Sequence, residues 1–145
     1  MPISSKAYGN ACNAVVLALD TNVLVRLLAR DDVKQAAAAD QAVAKGAWVS
    51  HLVLAEAIWV LDAVYARTPR QLIAALQLLL VHESLVLEDA DVVMAALAQF
   101  RARPALGFSD CLVLETARKV GHLPLLTFDK SLAKAAGVRK LAAGQ

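Results

Sequence analysis

The chain has 145 residues, enough for one domain with a sizeable core, and at 59% apolar but only 5% aromatic that core must be built from Ala, Val and Leu. Mean hydropathy is high at +0.53, yet the longest stretch without a charged residue, Ala7 to Leu19, has 13 residues, against the roughly 20 needed to span a membrane. A net charge of +2 is too mild to diagnose nucleic-acid binding, although carboxylates committed to a metal would leave the remaining surface more basic and suited to a polyanion.

Residues 1–14 carry no strong periodicity and read as an N-terminal extension compatible with disorder, ahead of a single domain over residues 15–145. The apolar segment AVVLAL follows a single Lys and runs into Asp20 without a cleavage motif, so it does not read as a secretion signal. Cys12 and Cys111 lack metal-ligand spacing and a secreted framework, which points to a reduced, cytoplasmic protein with no membrane association.

Val15 to Leu19 is a strand candidate, an apolar run of the kind buried on both faces in a parallel sheet. Asn22 to Arg30 places Val23, Leu24, Leu27 and Leu28 at helical spacing, and Asp31-Asp32 breaks it. Val33 to Lys45 is Ala-rich, helical by propensity, and ends at Gly46. Ala47 to Ser50 is a short strand and Leu52 to Tyr65 a strongly apolar helix. Thr68-Pro69-Arg70-Gln71 reads as a helix start, with Thr at the cap, Pro first and Gln three after the cap, and that helix runs to about Val81. Leu85 to Leu87 is a third strand, and Asp89 opens a helix ending near Arg103. After Pro104 and Gly107, Ser109 to Val120 is helical and stops at Gly121. Leu123 to Phe128 is a fourth strand, Lys130 to Ala136 a short helix and Val138 to Leu141 a last strand. Strands alternating with helices argue for an α/β fold with a parallel sheet covered on both faces.

Most acids have ordinary explanations. Glu115 has Arg118 and Lys119 three and four positions on, the pattern of a solvated ion-pair face. Four others are harder to dismiss. Asp20 and Asp129 each end an apolar run, so two buried strands would bring their carboxylates to one rim of the sheet, where open α/β sheets place their ligands. Glu56 has Leu52, Val53, Trp59 and Val60 as helical neighbours; a carboxylate on that face stays protonated, pairs with a cation or lines a site. Asp110 opens a helix and shares a face with Val113 and Ala117, which should point inward. For Asp20 and Asp110 taken singly, helix capping is the plain alternative. Clustered carboxylates resist joint ionisation unless a cation joins them, and oxygen ligands without His or Cys suit Mg²⁺ or Mn²⁺. Such a site can activate water and neutralise charge on a phosphodiester. Ser50, at the end of the second strand, and Asn22 are placed to support these acids. No G-x-S-x-G elbow, phosphate-binding Gly loop or H-E-x-x-H is present, and His51, His82 and His122 are scattered.

At these residues the sequence resembles PIN-domain ribonucleases, especially the VapC toxins of bacterial toxin–antitoxin pairs. The resemblance rests on ALDTNVLVRLL at Asp20, SHLVLAEAIWVL at Glu56, FSDCLVLETARKVG at Asp110 and LLTFDKSL at Asp129, in the family's order, over about residues 15–141. It implies a single PIN-like domain with a five-stranded parallel sheet in the order 3-2-1-4-5, flanked by helices. It also implies a metal-dependent endoribonuclease in which Asp20, Asp110 and Asp129 hold one or two Mg²⁺ or Mn²⁺ and Glu56 completes the shell, directly or through water. Attack of water on phosphorus would leave a 5′-phosphate and a 3′-hydroxyl. Thr127 and Asn22 match positions that support the acids by hydrogen bonding. The partners implied are RNA, a small cognate antitoxin protein and a second copy of the chain in a homodimer. Arg26, Arg67, Arg70 and Lys130 are unranked candidates for RNA contacts. Two other readings compete: the same fold binding RNA or a protein without cleaving, and a receiver-like domain phosphorylated on Asp. The second needs an acid pair and a late Lys that are not evident.

Overall fold

The structure, a computed structural model, describes residues 16–144; the N-terminal extension with Cys12, and Val15 at the head of the first apolar run, lie outside the described residues. The described residues form two compact units, one ending at Ala90 and the other starting at Asp91.

The first unit runs β1 (Leu17–Ala18), α1 (Thr21–Ala29), α2 (Val33–Ala44), β2 (Ala47–Val49), α3 (His51–Ala63), α4 (Pro69–Val81) and β3 (Leu85–Leu87). All its strands are parallel, with β2 central: Leu17 pairs with Ala47, and Ala47, Trp48 and Val49 pair with Leu85, Val86 and Leu87. Local chemistry explains the helix ends. Asp32, Ser50 and Thr68 accept from the main-chain N–H groups of Gln35, Val53 and Gln71, and Gln71 reaches back to Thr68 N–H to complete a capping box ahead of α4. The helices bury residues three and four apart: Leu54, Ala57, Ile58 and Leu61 of α3, and Ala36, Ala39 and Val43 of α2. The small side chains of α2 let α1 pack closely against it, while α3 packs on another side of α1.

The second unit contains α5 (Ala90–Ala102, starting at the boundary), a 3-10 turn (Pro104–Leu106), α6 (Phe108–Lys119), β4 (Leu125–Thr127), a second 3-10 turn (Leu132–Lys134) and β5 (Val138–Lys140). Its core joins Val93, Ala96 and Phe100 of α5 to Phe108, Cys111 and Leu114 of α6, with the Phe100 and Phe108 rings edge to face at 6.2 Å. β4 and β5 are parallel, Leu125 opposite Val138 and Thr127 opposite Lys140.

Several expectations need correction. The strands pair as a three-stranded sheet, β1-β2-β3, and a two-stranded sheet, β4-β5, instead of one five-stranded sheet in the order 3-2-1-4-5. β1 has only two residues, so beyond its ladder with β2 it offers few groups for a further neighbour. Burial on both faces holds for β2 and β3 but not for the first and fourth strands: Leu17 is 69% exposed and Leu126 48%. Val113, expected to point inward, is exposed. Glu115, expected on a solvated face, is buried, because the α5 side chain of Gln99 covers it. The stretch from Lys130 to Ala136 holds a 3-10 turn, since seven residues barely exceed the nucleus an α-helix must form. Among the described residues no helix is long and apolar enough to cross a membrane.

Candidate active site

The end of β1 is held by Leu19 N–H donating to the Trp48 carbonyl at 2.9 Å, which places Asp20 just past the sheet's carboxyl end. Asp20 is the N-cap of α1, and its Oδ1 accepts from Thr21 N–H at 2.8 Å. The capping alternative is therefore realised in this side chain. That bond uses one of its oxygens, and the carboxylate also lines a cavity of about 420 Å³.

Glu56 of α3 lines the same cavity, with Asn22, Arg26 and Tyr65. The packing of α3 against α1 brings these residues together across 36 positions of sequence. Glu56 is exposed, and so are Leu52 and Trp59, one turn before and one turn after it on the same helix. The burial that would force a choice among protonation, pairing and site lining is absent: that face of α3 is uncovered, and Glu56 borders the cavity as an exposed carboxylate.

Arg26 is fixed within this wall. Its Nη1 donates to the Tyr65 hydroxyl at 2.8 Å and lies 3.3 Å from Asp31 Oδ1, and its Nε donates to Gln35 Oε1 at 2.6 Å. The Tyr65 hydroxyl in turn donates to Asp31 Oδ2 at 2.7 Å. Tyr65 first, then the Asp31 charge, hold the guanidinium still more firmly protonated; the Tyr65 bond, aided by Arg26, holds the Asp31 carboxyl below its usual range. A guanidinium locked in this way loses little rotamer freedom when it meets an anion. Arg26 and Asn22 also line a neighbouring groove of about 400 Å³ floored by Ala38, Ala39 and Ala42 of α2. Tyr65 escaped sequence reasoning, because its partners lie 34 and 39 positions away and no local pattern joins them.

In the second unit Asp110 occupies the first turn of α6, whose N-cap is Gly107 with no side-chain cap bond, so Asp110 does not cap the helix. Partial desolvation of this exposed side chain, then the Asp129 charge, push the Asp110 carboxyl above its usual range. Asp129 follows β4; its Oδ2 accepts from Leu132 N–H at 2.6 Å, and its own N–H donates to Thr127 Oγ1 at 3.0 Å. Thr127 thus holds the main chain of Asp129 rather than its carboxylate, and Ser50 spends its hydroxyl on capping α3. Burial and the neighbouring acids Asp110 and Glu115 raise the Cys111 thiol to about 11, so thiolate chemistry is not available there. His51 Nε2 is buried and has no hydrogen-bond partner among the described residues.

Asp20 and Glu56 thus border one cavity in the first unit, while in the second unit the Asp129 charge acts on Asp110. Among the described residues no group of three or more His, Cys, Asp or Glu could hold a metal ion. Pairs of carboxylates still fit Mg²⁺ or Mn²⁺ chemically, since Mg²⁺ is commonly bound by one or two carboxylates with water and substrate phosphate making up the rest.

A family model described as the PIN domain matches residues 17–138, a span that includes all four acids. Among solved structures the chain is similar to the crystal structure of Mycobacterium tuberculosis VapC20, described as a sarcin-ricin loop cleaving toxin, at 20% identity, with a TM-score of 0.39, over 84% of this chain and 96% of that one. No curated protein matches the chain.

Proposed function

The chain belongs to the PIN domain family, and from that premise we propose that it is a metal-dependent endoribonuclease, the toxin of a toxin–antitoxin pair. The observation that carries this reading is the meeting of Asp20 and Glu56 on one cavity of the first unit. Asp20, Asp110 and Asp129 would hold Mg²⁺ or Mn²⁺, with Glu56 completing the set directly or through water. When bound, such a metal neutralises phosphodiester charge and lowers the pKa of a water molecule.

The chain's own groups do the rest. Glu56, exposed and facing the Asp20 cavity, orients the attacking water and receives its proton. Arg26, fixed by Tyr65 and Gln35, binds a non-bridging phosphate oxygen. The Asn22 amide, on the same wall, supports Asp20, and Thr127 holds Asp129 in place through its main chain. In-line attack leaves a 5′-phosphate on one fragment and a protonated 3′-oxygen on the other. A small antitoxin and a second copy of the chain are the protein partners, and the exposed Leu52 and Trp59 flanking Glu56 support a protein contact there. The protein would act in the cytoplasm.

A second reading, a PIN fold that binds RNA or a partner without cleaving it, is favoured by the lack of a three-ligand group among the described residues. RNA cleavage separates the two. Total RNA should be cut in Mg²⁺ or Mn²⁺ to products with 5′-phosphate ends, and EDTA or Asp20→Asn should abolish cutting while the fold persists. Cleavage by Asp20→Asn, or cleavage that survives EDTA, removes the mechanism. Metal binding without any cleavage supports the second reading.

A further inference from the structure

A further cavity, of about 310 Å³, lies wholly within the second unit, between the 3-10 turn at Pro104–Leu106 and the turn that follows Asp129. Arg103, Ser131 and Lys134 supply its polar side chains, and Pro104, Ala105 and Leu106 form an apolar wall. No carboxylate lines it among the described residues, in contrast to the cavity shared by Asp20 and Glu56. None of the three polar side chains makes a hydrogen bond or ion pair with another described residue. Two cationic residues therefore border one largely apolar concave space that no carboxylate lines among the described residues, an arrangement that an anion with an apolar neighbour completes.

The walls are fixed before any ligand arrives. Leu106 N–H donates to the Arg103 carbonyl and Gly107 N–H to the Pro104 carbonyl, each at 3.1 Å. On the other side, Leu132 N–H donates to the Asp129 carboxylate. Leu106 and Leu132 are both buried and anchor the two turns from beneath. The backbone frame of the pocket is thus preformed, and its volume is that of a small-ligand site.

We infer that this cavity is a subsite for a backbone phosphate of a polynucleotide. The Arg103 fork and the Lys134 point charge take the phosphate oxygens, Ser131 adds a hydroxyl donor, and the apolar wall covers the adjoining sugar. A strand, more than a free anion, fits because Ser131 stands two residues after Asp129, at most about 7 Å of chain. A strand whose reacting phosphate lies at Asp129 then has a neighbouring phosphate in reach of Arg103 and Lys134. The subsite thus rests on the nuclease reading for its substrate, but it binds without reacting.

The test uses the full chain carrying Asp20→Asn, so that RNA is not consumed, and a fluorescein-labelled single-stranded RNA of mixed sequence. Anisotropy titrations over a range of salt concentrations compare this parent with the added pair Arg103→Gln/Lys134→Gln, and with Lys34→Gln/Lys45→Gln as an equal change of charge elsewhere. The pocket pair should weaken binding about tenfold. It should also lower the magnitude of the salt slope by roughly 0.7 for each phosphate that is no longer neutralised. The control pair should do neither, and Arg103→Lys/Lys134→Arg should restore most of the affinity. Equal losses for the pocket and control pairs, unchanged affinity in the pocket pair, or no RNA binding by the parent would each overturn the subsite. Inorganic phosphate raising the parent's melting temperature while the RNA affinity ignores the pocket would overturn it too, as a site for free anions only. Cleavage by the wild type is read separately: failure to cleave with pocket-dependent binding intact sinks the nuclease reading alone.

Discussion

Replacing Arg118 by Leu strands a buried carboxylate, and the cost follows from the unequal exposure of the two partners. The Glu115 side chain is 7% exposed and that of Arg118 38%. Glu115 Oε1 takes Arg118 Nε at 3.1 Å, and Oε2 takes the Gln99 amide at the same distance. Arg118→Leu leaves the carboxylate with a single neutral donor. Breaking a buried pair from this side costs about 3–5 kcal/mol, and the part of Arg118 already in water puts the expectation at the lower end. Glu115→Leu instead frees a guanidinium that can turn outward, at a cost of about 1 kcal/mol. The double variant removes both charges and should be more stable than Arg118→Leu by about 1–2 kcal/mol. Both proteins lacking Arg118 lose its 2.8 Å bond to the Ala136 carbonyl, so that contribution cancels between them. Urea unfolding followed by far-UV circular dichroism measures the differences, while the fluorescence of Trp48 and Trp59 reports the first unit as an internal reference. A double variant no more stable than Arg118→Leu would mean that water reaches Glu115, and the reasoning fails. The site feels this pair, because α6 carries Asp110 and the pair ties α6 both to α5 and to the chain before β5.

Other outcomes can be checked with similar means. Gly137 has φ +85°, and a Cβ there would lie 3.2 Å from Leu123 Cδ1 and 3.3 Å from both Arg118 Nη atoms, whereas Gly121, at φ +82°, has nothing within 4 Å. Gly121→Ala should cost about 1–2 kcal/mol from backbone strain alone, and Gly137→Ala measurably more in the same urea assay; equal losses would show that the Arg118 side chain yields freely. Tyr65→Phe removes the bond that holds the Asp31 carboxyl below its ordinary value of 3.8. A depressed carboxyl contributes stability above the unfolded value and loses it as pH falls through the folded one. The melting-temperature gap between wild type and Tyr65→Phe should therefore be constant near neutrality and shrink below pH 3.8; a gap independent of pH would disconnect Tyr65 from Asp31.

The start of α4 shows how far local reading reaches. Thr68, Pro69 and Gln71 sit next to one another in the chain, and both bonds of the capping box form between them. Glu115 shows where it stops. Its partner Arg118, three positions on, is a local signal, but Gln99, which turns that surface pair into a buried one, lies 16 positions away on another helix. Asp20 lies between these cases: that it follows the first strand is a local fact, while its sharing a cavity with Glu56 depends on α1 packing against α3.

By itself the sequence determined the main helices, the capping box of α4, the alternation of strand and helix, and four carboxylates as candidates for a site. These follow from interactions between residues up to about four positions apart, which propensity, capping and periodicity describe. Only the tertiary structure decided that the strands pair as three and two, that Arg26 is locked by Tyr65 and Asp31, and that Arg103 and Lys134 border one cavity. Those outcomes depend on which distant surfaces exclude water together, and burial of apolar area is non-directional, so no spacing along the chain encodes its partner.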